Sequence, residues 1–187
     1  MTEQTEILFS SQKISKSHAI VELYGQIDEV SSALDFVTYY AYAAEMLSVA
    51  TYSEALSRYL SQEILALLSQ LYIARCKDDL IFDAKKCENF TNKFNDDILL
   101  SNIKAPETHI FVHRWKNEVV LWLNEVRVRI RRLERHLTNM LDEIQNDIYY
   151  SSDIQAMRER VIAWLCVIDF VNKLSTFLFN LGVNLNG

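Results

Sequence analysis

Residues 115–144 read "WKNEVVLWLNEVRVRIRRLERHLTNMLDEI", and this stretch decides the fold. Trp115, Val119, Trp122, Val126, Ile130, Leu133, Leu137, Leu141 and Ile144 recur at steps of three or four, the seam of a long packed helix. The pattern predicts one very long helix over about 110–148. Inside it, Arg127, Arg129, Arg131, Arg132 and Arg135 crowd beside the apolar seam. A guanidinium is costly to bury without a partner. The stretch therefore asks what negative group these arginines hold.

The rest of the chain extends the helical reading. Among 187 residues there are 3 Gly and 1 Pro, far below ordinary usage, so few breakers interrupt helices. Half of the chain is apolar, enough for a sizeable core. Ser17 is the expected N-cap of a first helix running to about 47, with Val21, Tyr24, Ile27, Val30, Leu34 and Val37 on its apolar stripe. A second helix is expected over about 52–76, carrying Leu56, Leu60, Ile64, Leu67, Leu68 and Leu71, and a shorter one over about 79–97. "LLSNIKAPETH" holds the sole proline and is the main break before the long helix. "YYSSD" then separates that helix from a last one over about 153–184. Met46, Met140 and Met157 read as core filling. The prediction is an all-α, five-helix up-and-down bundle forming one domain, 1–187, with residues 1–16 irregular.

A net charge of −6 argues against nucleic-acid binding, so the arginine cluster is a local device. Cys76, Cys87 and Cys166 are odd in number and lack a C-x-x-C spacing, which fits free thiols in a reducing compartment. The opening "MTEQTEILFSSQK" is polar, without a basic segment leading into an apolar one. The runs "FVTYYAYAA" and "VIAWLCVI" are too short to span a bilayer. A cytoplasmic protein with no membrane span is the expectation.

Three polar groupings carry candidate chemistry. Asn124, Arg127, Arg131 and Glu134 share one helix face beside the seam. This face is either a salt-bridged surface, with Arg131 paired to Glu134 and Arg129 to Glu125, or an anion site, since a guanidinium fork suits phosphate and carboxylate. Gly25 interrupts a good helix in "ELYGQIDEV", a loss of roughly 1 kcal/mol against alanine that a close helix approach or a ligand would explain. Asp28 follows it as a counter-ion for one of the arginines, or as a plain surface residue. "DFVNKLSTFLF" sets Asn172, Lys173, Ser175 and Thr176 among Val171, Leu174, Phe177 and Leu178, as functional groups or as the polar side of an amphipathic helix. His109 and His113 have the spacing of two metal ligands, but no third ligand follows, and no metal site is predicted. The chain has no Gly-rich phosphate loop, nucleophile elbow or zinc motif.

Taken together, three stretches resemble the PduO-type ATP:cob(I)alamin (corrinoid) adenosyltransferases. "KISKSHAIVELYGQIDEVSSAL" is similar to that family's R-V-x-K-D-x-x-x-x-E-A-Y-G-x-V-D-E-L-N-S-A-L. "FVHRWKNEVVLWLNEVRVRIRRLER" aligns without a gap to F-I-L-P-G-G-x-x-x-A-A-x-L-H-x-A-R-x-x-C-R-R-A-E-R, and "FVNKLSTFLF" to Y-L-N-R-L-S-D-x-L-F. The matches keep order and spacing over about 170 residues.

The resemblance implies a five-helix bundle assembled as a homotrimer, with active sites between subunits. It implies transfer of the 5′-deoxyadenosyl group of Mg2+-bound ATP to the cobalt of cob(I)alamin, with release of triphosphate. A corrinoid reductase or an adenosylcobalamin-dependent enzyme would be a partner. By the same resemblance, Phe111 blocks the lower face of the corrin, and Arg127 and Asp28 bridge neighbouring subunits beside the site. Arg131 and Glu134 contact or organise ATP, Lys16 lies near its phosphates, Asn172 touches it, and Ser175 lines the same helix beside Lys173. Arg132 and Arg135 also match the motif; Arg129 does not and reads as surface.

The chain departs from the pattern around the nucleotide. The family's T-R-T-G-D-x-G phosphate loop would end where "MTEQTE" stands. The family's N-R-L-S-D has Lys173 for its arginine and Thr176 for its aspartate, L-P-G-G is replaced by His113, Arg114, Trp115 and Lys116, and the histidine of L-H-x-A-R is Asn124. A non-catalytic relative that binds corrinoid or nucleotide, or serves as a partner subunit, is the alternative. A helical assembly protein without a ligand is a third.

Overall fold

The computed structural model describes residues 3–8, 11–76, 116–148 and 154–186. They form a short hairpin, β1 (Gln4–Glu6) and β2 (Lys13–Ser15), and a set of long helices. Helix α1 spans Ala19–Ala43; α2 (Leu47–Tyr59) continues through a π-helical turn (Leu60–Ile64) into α3 (Leu65–Cys76); α4 spans Glu118–Ile148 and α5 Ile154–Asn186. The all-α class expected from the sequence is therefore observed. The helix expected over 79–97 lies outside the described residues, as do Phe111, His109 and His113.

Adjacent rods run antiparallel. His136 meets Ala19 and Phe36 stacks on Trp122 across α4 and α1. Lys116 meets Asn186, Arg131 meets Asn172, and Trp164 meets Leu137 across α4 and α5. The rod α2–α3 closes the other side, with Ser57 against Ser31 of α1 and Tyr52 and Tyr59 against Phe177 and Phe170 of α5. The predicted seam of α4 fills the centre: Val126, Ile130, Leu133 and Leu137 are fully buried. They meet Ile27, Leu34 and Val37 of α1 and Trp164, Phe170 and Leu174 of α5 in one core. Met140 and Met157 are in that core, and Met46 packs at its edge.

The π turn has a packing reason. Leu56, Leu60, Ile64 and Leu68 are all fully buried at steps of four. In a regular helix each such step drifts roughly 40° off the seam. A wider turn at Leu60–Ile64 takes up that drift and keeps all four side chains inward. Ser61 there accommodates the loosened ladder by donating to the Ser57 and Arg58 carbonyls.

Three boundaries differ from the sequence reading. Residues 1–16 are not irregular throughout: β1 and β2 pair antiparallel with Gln4 opposite Ser15, Thr5 opposite Ile14 and Glu6 opposite Lys13. Strands of three residues are too short to show alternation, and burial of Ile7 in the bundle core is what anchors them. The N-cap of α1 is His18 and not Ser17, because the His18 Nδ1 accepts the Ile20 amide. Ser17 instead pairs with Ser15. Helix α1 ends at Ala43, and α2 begins at Leu47, in place of about 47 and 52.

That turn is a Schellman arrangement: Met46 N–H donates to the Ala41 carbonyl and Glu45 N–H to that of Tyr42. Its left-handed position, φ 59°, holds Glu45 where glycine is usual, so no glycine marked the stop. Glu45→Gly should raise stability by up to about 1 kcal/mol by relieving that conformation. The check is the midpoint of urea unfolding at constant slope; an unchanged or lowered midpoint would contradict it.

The span Met157–Asn186 of α5 is long and apolar enough to cross a membrane by length and composition, because such a window tolerates the polar residues that interrupt the runs read from sequence. Half of its most apolar 18-residue window is buried inside the bundle, as in a core helix.

Candidate functional site

The arginines of α4 sort by the side of the helix from which they leave. Toward α1, Arg132 pairs with Glu22 (3.3 Å) and Glu29 (3.5 Å). Arg129 pairs with Glu125 (2.9 Å) on its own helix and donates to the Glu29 carbonyl (3.1 Å). Arg129, expected at the surface, is thus half-buried and ties α4 to α1. Gln26 donates to Glu22, and that bond, with Arg132 and His136 nearby, holds the Glu22 carboxyl below its usual range against partial burial. Arg135 is exposed and has no ion pair among the described residues.

Toward α5, the expected Arg131–Glu134 pair forms at 2.8 Å. The same Arg131 nitrogen donates to Asn172 Oδ1 at 2.9 Å. Two groupings picked out separately in the sequence, the Arg131–Glu134 face of α4 and Asn172 of α5, therefore meet in one cluster. Arg127 sits one turn away, its Nε donating to Asn124 (3.1 Å) and its guanidinium 5.7 Å from the Phe179 ring centre. Among the described residues it has no carboxylate partner. Burial, and then the charge of Arg131, push the Arg127 guanidinium below its ordinary value. It stays charged at physiological pH, but in a place that lacks an anion. Asn124 and Phe179 were not read from the sequence as its partners; the i, i+3 spacing of Asn124 carried that signal, and the cross-helix contact of Phe179 did not.

The other expected site residues are placed as follows. Asp28 is exposed on α1 with no ion-pair partner among the described residues, so it serves none of the described arginines. Lys16 follows β2 and pairs with Glu3 at 2.8 Å, both side chains well exposed. Lys173 is exposed and pairs with Asp169 at 2.6 Å. Ser175 is 1% exposed, and its hydroxyl has no hydrogen-bond partner among the described residues, so it faces the bundle interior and not the Arg131–Asn172 cluster. Thr176 is exposed and bonds back to the Asn172 carbonyl. Arg160, buried on α5 and donating to Met157 Sδ, was not singled out in the sequence.

At the far end of α1, Phe36 lies flat on Trp122, ring centres 4.4 Å apart, and Tyr39 is 68% exposed beside it. Asp35, Phe36, Tyr39 and Tyr40 line a cavity of about 330 Å³, at the small end of ligand-binding pockets. Among the described residues no group of three or more His, Cys, Asp and Glu could hold a metal ion.

Gly25 is exposed, and an added Cβ would meet nothing within 4 Å among the described residues, so no close approach of a described helix explains it. Gly25→Ala should stabilise the isolated chain by about 1 kcal/mol, read as a rise in thermal midpoint. A fall would show that another surface closes over this point. Ser175→Ala should leave stability unchanged or raise it slightly, because it removes a buried hydroxyl with no partner. A loss above about 1 kcal/mol in chemical denaturation would refute this reading of the hydroxyl.

Compared with known proteins, residues 2–185 match the sequence model of the family described as cobalamin adenosyltransferase. No curated protein matches the chain.

Proposed function

The chain belongs to the cobalamin adenosyltransferase family, and from that premise we propose that it transfers the 5′-deoxyadenosyl group of Mg2+-bound ATP to cob(I)alamin. One observation carries the reading. Arg127 and Arg131 are neighbouring guanidiniums on a half-buried helix face, and Arg127 has no carboxylate partner among the described residues. Such a face is built to receive negative charge from outside the chain. Asp28, exposed and likewise without an ion pair among the described residues, is a complementary charge for Arg127 in a second copy. The assembly proposed is a homotrimer of single-domain chains in the cytoplasm, with the site between copies.

In the reaction, the cobalt lone pair attacks C5′ of ATP. The Co–C bond forms as the C5′–O bond breaks, and triphosphate leaves with the negative charge. The protein's work is orientation and charge compensation. Arg131 meets the phosphates, oriented from one side by Glu134 and from the other by Asn172. Lys16 and Lys173 contribute further positive charge, and Mg2+ arrives with the nucleotide. Phe111 is assigned to the lower corrin face, and the Phe36–Trp122 stack adds apolar ring surface.

A non-catalytic binding relative is the second reading. Lys16 and Lys173 already hold Glu3 and Asp169, so polyphosphate must displace carboxylates from them. Anaerobic mixing with cob(I)alamin and Mg-ATP separates the two. Light-sensitive adenosylcobalamin formed above the protein-free rate is expected; no product from an intact assembly selects the second reading. Arg131→Ala should weaken ATP binding by about 10- to 100-fold, the effect of a lost charge-assisted hydrogen bond of roughly 1.5–3 kcal/mol. Unaltered nucleotide affinity by calorimetry would remove Arg131 from the site. Arg127→Ala should weaken the assembly, and the charge swap Asp28→Arg with Arg127→Asp should restore it if the two residues pair between copies.

A further inference from the structure

The imidazole of His18 joins three parts of the molecule. The Ile20 amide donates to its Nδ1 at 3.3 Å. An amide N–H only donates, so Nδ1 bears no proton, and the neutral ring carries its hydrogen on Nε2. Nε2 lies 2.8 Å from the Tyr72 hydroxyl of α3, with the two rings edge to face at 5.3 Å. The ring thus caps α1 and fastens that cap to α3. The chain just before it is held by the His18 amide on the Ser15 carbonyl (3.0 Å) and the Lys16 amide on the Glu3 carbonyl (3.1 Å). The direction of Lys16 is therefore set by a turn that His18 pins to the bundle.

We propose that His18 is a positioning residue for Lys16, and that protonation of its ring releases the pin. The inference rests on the reading of Lys16 as a phosphate-facing residue. A second proton must sit on Nδ1, and the Ile20 amide then loses its acceptor. The new charge also lies at the positive end of the α1 dipole. Among the described residues, the charged and titratable groups around it are already engaged and do not offset this. From α4, His136 donates Nε2 to the Ala19 carbonyl and Arg132 reaches Glu22. On α1 itself, Glu22 is engaged by Gln26 and Arg132; from the hairpin, Glu3 is engaged by Lys16. From α3, Tyr72 supplies only a neutral hydroxyl. The unprotonated ring thus holds the Lys16 turn to the bundle, and a proton on Nδ1 loosens it.

The test uses the whole chain, unmodified and as His18→Asn, since asparagine caps a helix and does not titrate. Amide hydrogen exchange over residues 16–20 is followed at about pH 8 and about pH 5.5 and corrected for intrinsic exchange. In the unmodified chain, acid should speed exchange roughly fivefold, the loss of one N-cap. In His18→Asn the corrected rate should hold steady. Mg-ATP affinity should fall with acid several-fold more in the unmodified chain than in His18→Asn, a comparison that cancels the titration of the nucleotide itself. Equal pH responses in both chains overturn the proposal, as does a 15N spectrum placing the neutral ring proton on Nδ1. An exchange contrast with no Mg-ATP binding at either pH refutes the nucleotide role of Lys16 while leaving the latch established. Binding without an exchange contrast does the reverse.

Discussion

The seam of α4 is the constraint on which the other elements depend. This helix is apolar along a narrow line and charged on both flanks, so it must bury the line while leaving each flank a partner. Packing between α1 and α5 meets both demands. Val126, Ile130, Leu133 and Leu137 enter the core. The guanidiniums to one side find Glu22, Glu29 and the Glu29 carbonyl, and those to the other find Glu134 and Asn172. Rotating α4 by one residue, roughly 100°, would place arginines in the core, which their desolvation forbids. The register of the bundle is thereby fixed by charge as much as by apolar fit.

The flank facing α1 is satisfied by carboxylates of the same chain, and its ion pairs are exposed enough to count more for register than for stability. The flank facing α5 is not neutralised in the same way. Arg127 has an amide oxygen and an aromatic face for company, and burial and Arg131 both work against its charge. A molecule keeps such an arrangement at a cost in stability, and function is where costs of this kind concentrate. Arg127 and Asp28, opposite charges with no ion pair among the described residues, lie on α4 and α1, helices that meet along the other flank, and for that reason their pairing is proposed between copies and not within one.

How far the sequence could be read depended on the range of the interaction involved. Helical periodicity is local, and it gave α1, α4 and α5 and most of their buried faces, although Val21, Tyr24 and Trp122 are only partly buried and Ile20 and Leu23 carry the start of the α1 face. The Arg131–Glu134 and Arg129–Glu125 pairs were legible for the same reason, since three- and four-residue steps place side chains together on any helix. The end of α1 was missed because its left-handed residue is Glu45, and the hairpin because its strands are held mainly by Ile7 reaching a core the strands do not themselves contain. The π turn escaped notice because a run of leucines at steps of four looks like an ordinary stripe until its drift is counted.

By itself the sequence determined the helical class, the inward face of each long helix, and the candidate residues Arg127, Arg131, Glu134 and Asn172. Each of these follows from spacing along one segment. Only the tertiary structure decided that Arg131 and Asn172 touch, that Ser175 turns inward, that Lys16 is engaged by Glu3, and that His18 rather than Ser17 begins α1 by reaching Tyr72. Those outcomes depend on residues 13 to 54 positions apart, brought together by the packing of whole helices, and no local propensity encodes which of several near-equivalent partners a side chain finally meets.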